Sequence, residues 1–244
     1  RLITLRSAVQ IRPPQPILNM QNRLIYLASH NKLFDKIILN KRFEIIKIIN
    51  DYIRKYKLTN ALDIGTTKDN KNKSSNIIIK NLKNINSFKS ISNQKITSNL
   101  FVKKKKISIT KNLSNIIIKE FSSDLVISSA TIEHVGGIKN QRKMIENVIK
   151  LSKKMFILTT PNRNHPIEFH TKIPFIHWLP NRIYRNLLKL IGLRFYSNEK
   201  NLNLLSEKDL VKLMKNYNID YKILYVKLLY FKSNLILIGT KTKF

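Results

Sequence analysis

The stretch Asn60–Asn76, NALDIGTTKDNKNKSSN, decides how the rest of the chain is read. Ala61–Gly65 is a short apolar run broken by an aspartate and closed by a glycine, the pattern of a buried strand entering a tight turn. Such a strand keeps Leu62 and Ile64 in the core and delivers Asp63 to the carboxyl edge of a sheet, where open α/β folds bind ligands. Gly65 allows the turn and a close backbone approach. The glycine-rich loop expected next is mostly missing.

Outward from this stretch, the hydrophobic period changes twice. Upstream, Leu33–Tyr56 places apolar residues at Ile45, Ile46, Ile48, Ile49 and Ile53 with charges between them, the spacing of an amphipathic helix against the start of the core. Downstream, Ser87–Ile91, Lys106–Ile109, Asp124–Ala130 and Met155–Thr160 are short apolar runs. They alternate with segments that suit helices, notably Ser74–Leu82 and Asn140–Ser152, which implies a parallel sheet covered on both faces. The chain closes with YKILYVKLLYF and NLILIGTK, two strand-like runs joined at Lys232-Ser233 as an antiparallel hairpin. The expected fold is α/β: a Rossmann-like, mostly parallel, seven-stranded sheet with an antiparallel C-terminal hairpin and a helical insertion after the fifth strand. Residues 20–58 read as an N-terminal helical segment and 59–244 as the main domain, with 161–217 as a lid insertion. Residues 1–19 read as an extension outside the native fold: Val9-Gln10-Ile11-Arg12 matches what the end of a transfer-RNA gene would encode, and Met20 is the expected start.

At 43% hydrophobic and 9% aromatic, 244 residues suffice for one substantial core. The absence of cysteine excludes disulfides, thiolate nucleophiles and cysteine zinc clusters. No uncharged run of about 20 apolar residues and no N-terminal leader pattern is present, so a cytoplasmic location is expected. The formal charge of +32 invites an anionic partner. Lysine, asparagine and isoleucine are enriched together, however, and share A/T-rich codons, so genome composition competes with a nucleic-acid explanation. The run Lys103–Lys106 reads as a solvated loop.

Three segments in order, ALDIGTTKD, DLVISSATIEHVG and MFILTTPNR, followed by the hairpin, resemble the class I S-adenosylmethionine-dependent methyltransferases from about Arg42 to the C-terminus. PNR…HPIEFH…LP is similar to a bacterial subgroup that acts on small molecules or glycans. The resemblance implies S-adenosyl-L-methionine as cofactor, held by Asp63, Gly65 and Thr66 after the first strand and by Ser128, Ser129, Ala130 and Glu133 after the fourth. Thr67 and Asp69 replace two glycines of the usual pattern. The ribose-binding carboxylate after the second strand is also missing, which leaves Ser90 and Ser92 as hydroxyl substitutes. His134 is the candidate base, with helix capping or packing as its other reading, and the resemblance leaves Glu133 either as a cofactor contact or, as in some related O-methyltransferases, as a group that helps bind a cation.

In the insertion, Asn162, Arg163, His165, Glu168 and His170 are candidate substrate contacts. The spacing of His165, Glu168 and His170 is not that of a helical zinc motif, and Pro166 breaks a helix there, so no metal is expected. Ile183, Leu187, Leu188 and Ile191 form an apolar stripe opposite Arg182, Arg185 and Lys189, read as a lid helix packed on its own domain. The alternative is peripheral contact with an anionic membrane. The expected acceptor is a small molecule, a glycan or a lipid-linked compound. Nucleic acid stays open as a partner, although SSAT stands where adenine amino-methyltransferases carry Asn/Asp-Pro-Pro-aromatic.

Overall fold

The computed structural model describes residues 32–68 and 75–241. The expected N-terminal extension and Met20 lie outside the described residues, as do Asp69–Ser74. Helix α1 (Lys32–Lys55) forms where the isoleucine spacing requires it and ends with Arg54 and Lys55, cations that suit a helix C-terminus. Strand β1 (Asn60–Ile64), α2 (Ile77–Lys80), β2 (Ser87–Ser92), β3 (Phe101–Lys106), α3 (Asn115–Phe121) and β4 (Ser123–Ser129) follow. Helix α4 (Ile138–Leu151), β5 (Ser152–Pro161), α5 (Asn181–Leu190), α6 (Arg194–Ser197), α7 (Glu207–Met214), β6 (Asp220–Leu228) and β7 (Phe231–Thr240) complete the chain.

The strands form one seven-stranded sheet in the order β3-β2-β1-β4-β5-β7-β6. Strands β1 to β5 pair in parallel and β7 runs antiparallel to both its neighbours, as expected. Alternation along the buried strands feeds two layers. Leu125 and Ile127 of β4 face Ile45, Ile46, Ile49 and Ile53 of α1, with Ala61, Ile157 and Ile236 beside them. Val126 faces Met144, Ile145 and Val148 of α4 and Leu210 and Leu213 of α7, with Leu62, Ile64 and Phe156. Burying each such side chain contributes about 1.5–3 kcal/mol, so the two layers, more than local propensity, hold the central strands. Gly239 on β7 makes room for the Phe156 ring; a β-carbon there would overlap it.

Two expectations change. The third strand is Phe101–Lys106, so Lys103–Lys106 belongs to a sheet edge and not to a loop, while Ile107–Ile109 follows it. Its lysines are exposed, and charged side chains on an edge strand oppose pairing with another chain. The hairpin turns at Leu229-Tyr230, not at Lys232-Ser233. Both turn residues have positive φ, 49° and 68°, without the Asn or Gly that normally signals such a turn.

Candidate functional site

The strand order reverses between β1 and β4, so the crevice at their carboxyl ends is the ligand position of an open α/β sheet. Strand β1 places Asp63 there with 7% exposure. Thr66 donates its hydroxyl to Asp63 Oδ2 at 2.5 Å, Ser90 donates to Thr66 Oγ1 at 2.7 Å, and Ser92 donates to the Thr66 carbonyl at 2.7 Å. Burial pushes the Asp63 carboxyl up to about 6, against the pull of the Thr66 hydroxyl. A neutral hydroxyl is a weak partner for a buried carboxylate, which leaves it short of a cation.

Gly65 has φ +92°, and its N–H donates to Ile91 O at 3.0 Å. The space a β-carbon would need is filled by the side chain of Thr131, so glycine is required on both counts. Beyond it, the Asn76 side chain clamps the Thr67 backbone, accepting from its N–H at 3.0 Å and donating to its carbonyl at 2.9 Å. That clamp closes the loop without the later glycines.

On the other side of the crevice, Ser128 donates to Ile64 O at 2.8 Å and fastens β4 to β1. Ser129 accepts from Thr159 at 3.2 Å. Ala130 is left-handed, φ 49°, a conformation that costs a non-glycine residue roughly 1 kcal/mol or more. The turn it makes sends Thr131 against Gly65 and starts the 3-10 turn Ile132–His134, which points Glu133 inward.

Glu133 is fully buried. Its Oε2 accepts from Thr160 at 3.0 Å, while Oε1 has no hydrogen-bond partner. His134 Nδ1 lies 2.6 Å from Asn201 O and must donate to it. His170 Nδ1 lies 2.6 Å from Glu168 Oε1, which also accepts from the His170 N–H. Both rings therefore turn Nε2 inward, and the two Nε2 atoms are 3.1 Å apart. Glu133 Oε1 is 3.9 Å from His134 Nε2 and 4.0 Å from His170 Nε2. Burial raises Glu133. It lowers His134 to about 4, with His170 adding to the effect. Burial works against charge at Glu168 and His170 too, but their mutual attraction outweighs it, holding Glu168 at about 2 and His170 above its ordinary value.

The insertion residues sort differently from a row of substrate contacts. Asn162 donates to Lys232 O, His165 is 1% exposed and bonds within its own turn, and Glu168 is committed to His170 and the Thr171 N–H. Arg163 lines an open cleft of about 500 Å³ with Asn164, Trp178, Ser206 and Asp209. His170 joins Glu133 and His134, and these three are the group among the described residues able to hold a metal ion. Thr131, Asn76, Thr160 and Asn201 also shape the site. Their roles depend on contacts made across the fold, Asn201 reaching His134 from 67 residues away, so no local pattern marks them.

No protein-family model and no curated protein matches the sequence. Among solved structures, the chain is similar to the methyltransferase domain of bacterial CtHen1, with 11% identity over 83% of this chain and 99% of that one and a TM-score of 0.54. It is also similar to magnesium protoporphyrin IX methyltransferase ChlM from Synechocystis with bound S-adenosylhomocysteine, at 11% identity, 87% and 88% coverage and a TM-score of 0.52. A third is the N-methyltransferase NodS from Bradyrhizobium japonicum in complex with S-adenosylhomocysteine, at 8% identity, 91% and 94% coverage and a TM-score of 0.51. Sheet order and crevice define an open, switch-point α/β architecture. More particularly, the chain has the class I S-adenosylmethionine-dependent methyltransferase fold, as the sequence resemblance implies.

Proposed function

We propose that the chain transfers a methyl group from S-adenosylmethionine to an oxygen, nitrogen or carbon of a small-molecule, glycan or lipid-linked acceptor. One observation carries the reading: Asp63 is a carboxylate buried at the switch point, raised to about 6, with a hydroxyl as its partner. The ammonium of the cofactor's methionine end supplies the missing cation, and Gly65, Thr66, Ser129 and Ala130 stand around the same crevice. Ser90 and Ser92 are committed to Thr66, so a ribose would have to release them or be held by other groups.

When bound, the cofactor supplies a methyl already activated by its sulfonium. The protein's task is then in-line placement and custody of the acceptor's proton. His134 donates through Nδ1 to Asn201 O and is neutral near pH 7, so its Nε2 lone pair is the atom that can take that proton.

The lid supports an amphiphilic, anionic acceptor. Leu188 and Tyr184 of α5 are buried against Tyr196 and Leu202. Ile183, Leu190 and Ile191 are 50%, 81% and 53% exposed, so part of the apolar stripe faces outward, contrary to a fully packed lid. Arg182 and Lys189 are exposed beside it. Among residues 163–200, seven Lys or Arg stand against Glu168 and Glu199, and Glu168 is buried. Among the described residues no helix is long and apolar enough to cross a membrane. RNA is the second reading, favoured by the exposed lysines of β3; a gel shift steep in salt would support it.

Calorimetry with S-adenosylhomocysteine tests the main reading, with one saturable site expected. Absence of both heat and thermal stabilisation at saturating ligand sinks it and leaves a non-catalytic binding module.

A further inference from the structure

Two neutral histidines that each donate Nδ1–H to an oxygen present bare Nε2 lone pairs, and here the two Nε2 atoms are 3.1 Å apart. Two acceptors at that distance repel unless something positive lies between them. A shared proton would satisfy the ring pair but would leave Glu133 Oε1, fully buried and unpartnered, about 4 Å away. A metal ion satisfies all three atoms at once. Separations of 3.1, 3.9 and 4.0 Å define a point about 2.2 Å from each atom, the distance at which imidazole nitrogen and carboxylate oxygen bind zinc and similar ions.

We propose that Glu133, His134 and His170 form a binding site for a divalent transition-metal cation of the Zn²⁺, Co²⁺ or Mn²⁺ class. Two imidazoles select against Mg²⁺ and Ca²⁺, which prefer oxygen-only sets. The outer contacts have the form that orients metal-binding histidines: Glu168 on His170, the Asn201 carbonyl on His134, and Thr160 on the far oxygen of Glu133. His134 and His170 retain side-chain exposures of 20% and 11%, so solvent reaches the cluster. Three protein ligands leave positions for water or an acceptor oxygen, and a cation there would acidify a hydroxyl bound to it. In that state His134 is a ligand and the cation replaces it as the source of deprotonation. This role in transfer rests on the methyltransferase reading; the cation site does not.

The test is a Co²⁺ titration of the full chain without a histidine tag, followed by visible absorption, with Zn²⁺ competition and Mg²⁺ as the non-binding comparison. One saturable equivalent is expected, displaced by Zn²⁺ and not by Mg²⁺. Glu133→Gln and His170→Ala should each raise Kd at least about 100-fold, and Glu168→Gln about 10- to 100-fold, in protein whose circular dichroism matches wild type. Failure of folded wild type to bind Co²⁺ or Zn²⁺ at millimolar concentration overturns the site, as does unchanged affinity in Glu133→Gln. Cation binding with no response to S-adenosylhomocysteine would sustain the site and defeat the methyltransferase reading; the converse result would do the opposite.

Discussion

Replacing Asp63 by Asn should stabilise the ligand-free protein at neutral pH while removing its response to cofactor. The carboxyl titrates near 3.8 when unperturbed and at about 6 in the folded chain. A raised acid pKa favours the protonated form on folding, so this group's contribution is full below about pH 3.8 and is lost as pH rises through 6. The shift is worth about 3 kcal/mol at neutral pH, at 1.36 kcal/mol per pKa unit. Asparagine keeps the shape and can still accept from Thr66, but it has no charge to desolvate. At pH 7.5 the variant should melt at most about 6–12 °C higher than wild type, and the gap should close toward pH 4. Saturating S-adenosylhomocysteine should then raise the melting temperature of wild type and leave the variant unmoved, because the ammonium loses its carboxylate. Differential scanning fluorimetry across pH 4–8 reads both effects. A variant that melts lower than wild type at every pH, or that keeps the full ligand shift, refutes the assignment of Asp63 as a carboxylate awaiting a cation.

Gly65→Ala should destabilise by about 1–3 kcal/mol in urea, since alanine is strained at φ +92° and its β-carbon meets Thr131. The partial recovery expected in Gly65→Ala/Thr131→Gly would separate the collision from the backbone strain. Glu168 is held at about 2, well below its ordinary value, so its stabilising effect is full above about pH 4.5 and is lost as pH falls toward 2. Glu168→Gln should therefore flatten the acid limb of the stability curve, measured by denaturant midpoints from pH 6 to pH 2.5. Substituting Ile183 and Leu190 by Asp should cut sedimentation with phosphatidylglycerol vesicles about tenfold and leave S-adenosylhomocysteine binding intact. Equal sedimentation would remove the anionic amphiphile as the acceptor class.

Where backbone geometry follows from local pattern, the sequence was a good guide: the isoleucine period of α1, the Asp-Gly end of β1 and the terminal antiparallel strand all appear where expected. It misled where a residue's usual preference was overridden. Four consecutive lysines look like a loop, yet an edge strand leaves their charges in water while Phe101 anchors its start in the core. Leu229-Tyr230 carries no turn chemistry, and its position is set by the register of β6 on β7. Of the candidate site residues, Asp63 lies on β1, Gly65 just after it, and Glu133 and His134 on the 3-10 turn that follows β4, positions that the local pattern of short strands ending in turns marks. His165 and Glu168 looked equivalent to His170 in HPIEFH, but the inward face of that segment is set by its docking on the 3-10 turn, which no spacing rule encodes. The pairing of His134 with Asn201 is of the same kind.

Those contacts have a consequence for how the proposed acceptor would be chosen. The pair Glu133-His134 lies against His170 at one end of the insertion and is hydrogen-bonded, through Asn201 O and Asn203 N, at the other. The chain from 171 to 200 is thus a loop whose two feet stand on the same short turn. Loop-closure entropy grows slowly with length, so the exposed parts of that span can be lengthened, shortened or exchanged at small closure cost while Tyr184, Leu188 and Tyr196 keep their packing. The span is in effect a cassette: its exposed surface can be rewritten for a different ligand while the carboxylate and the two imidazoles stay in place.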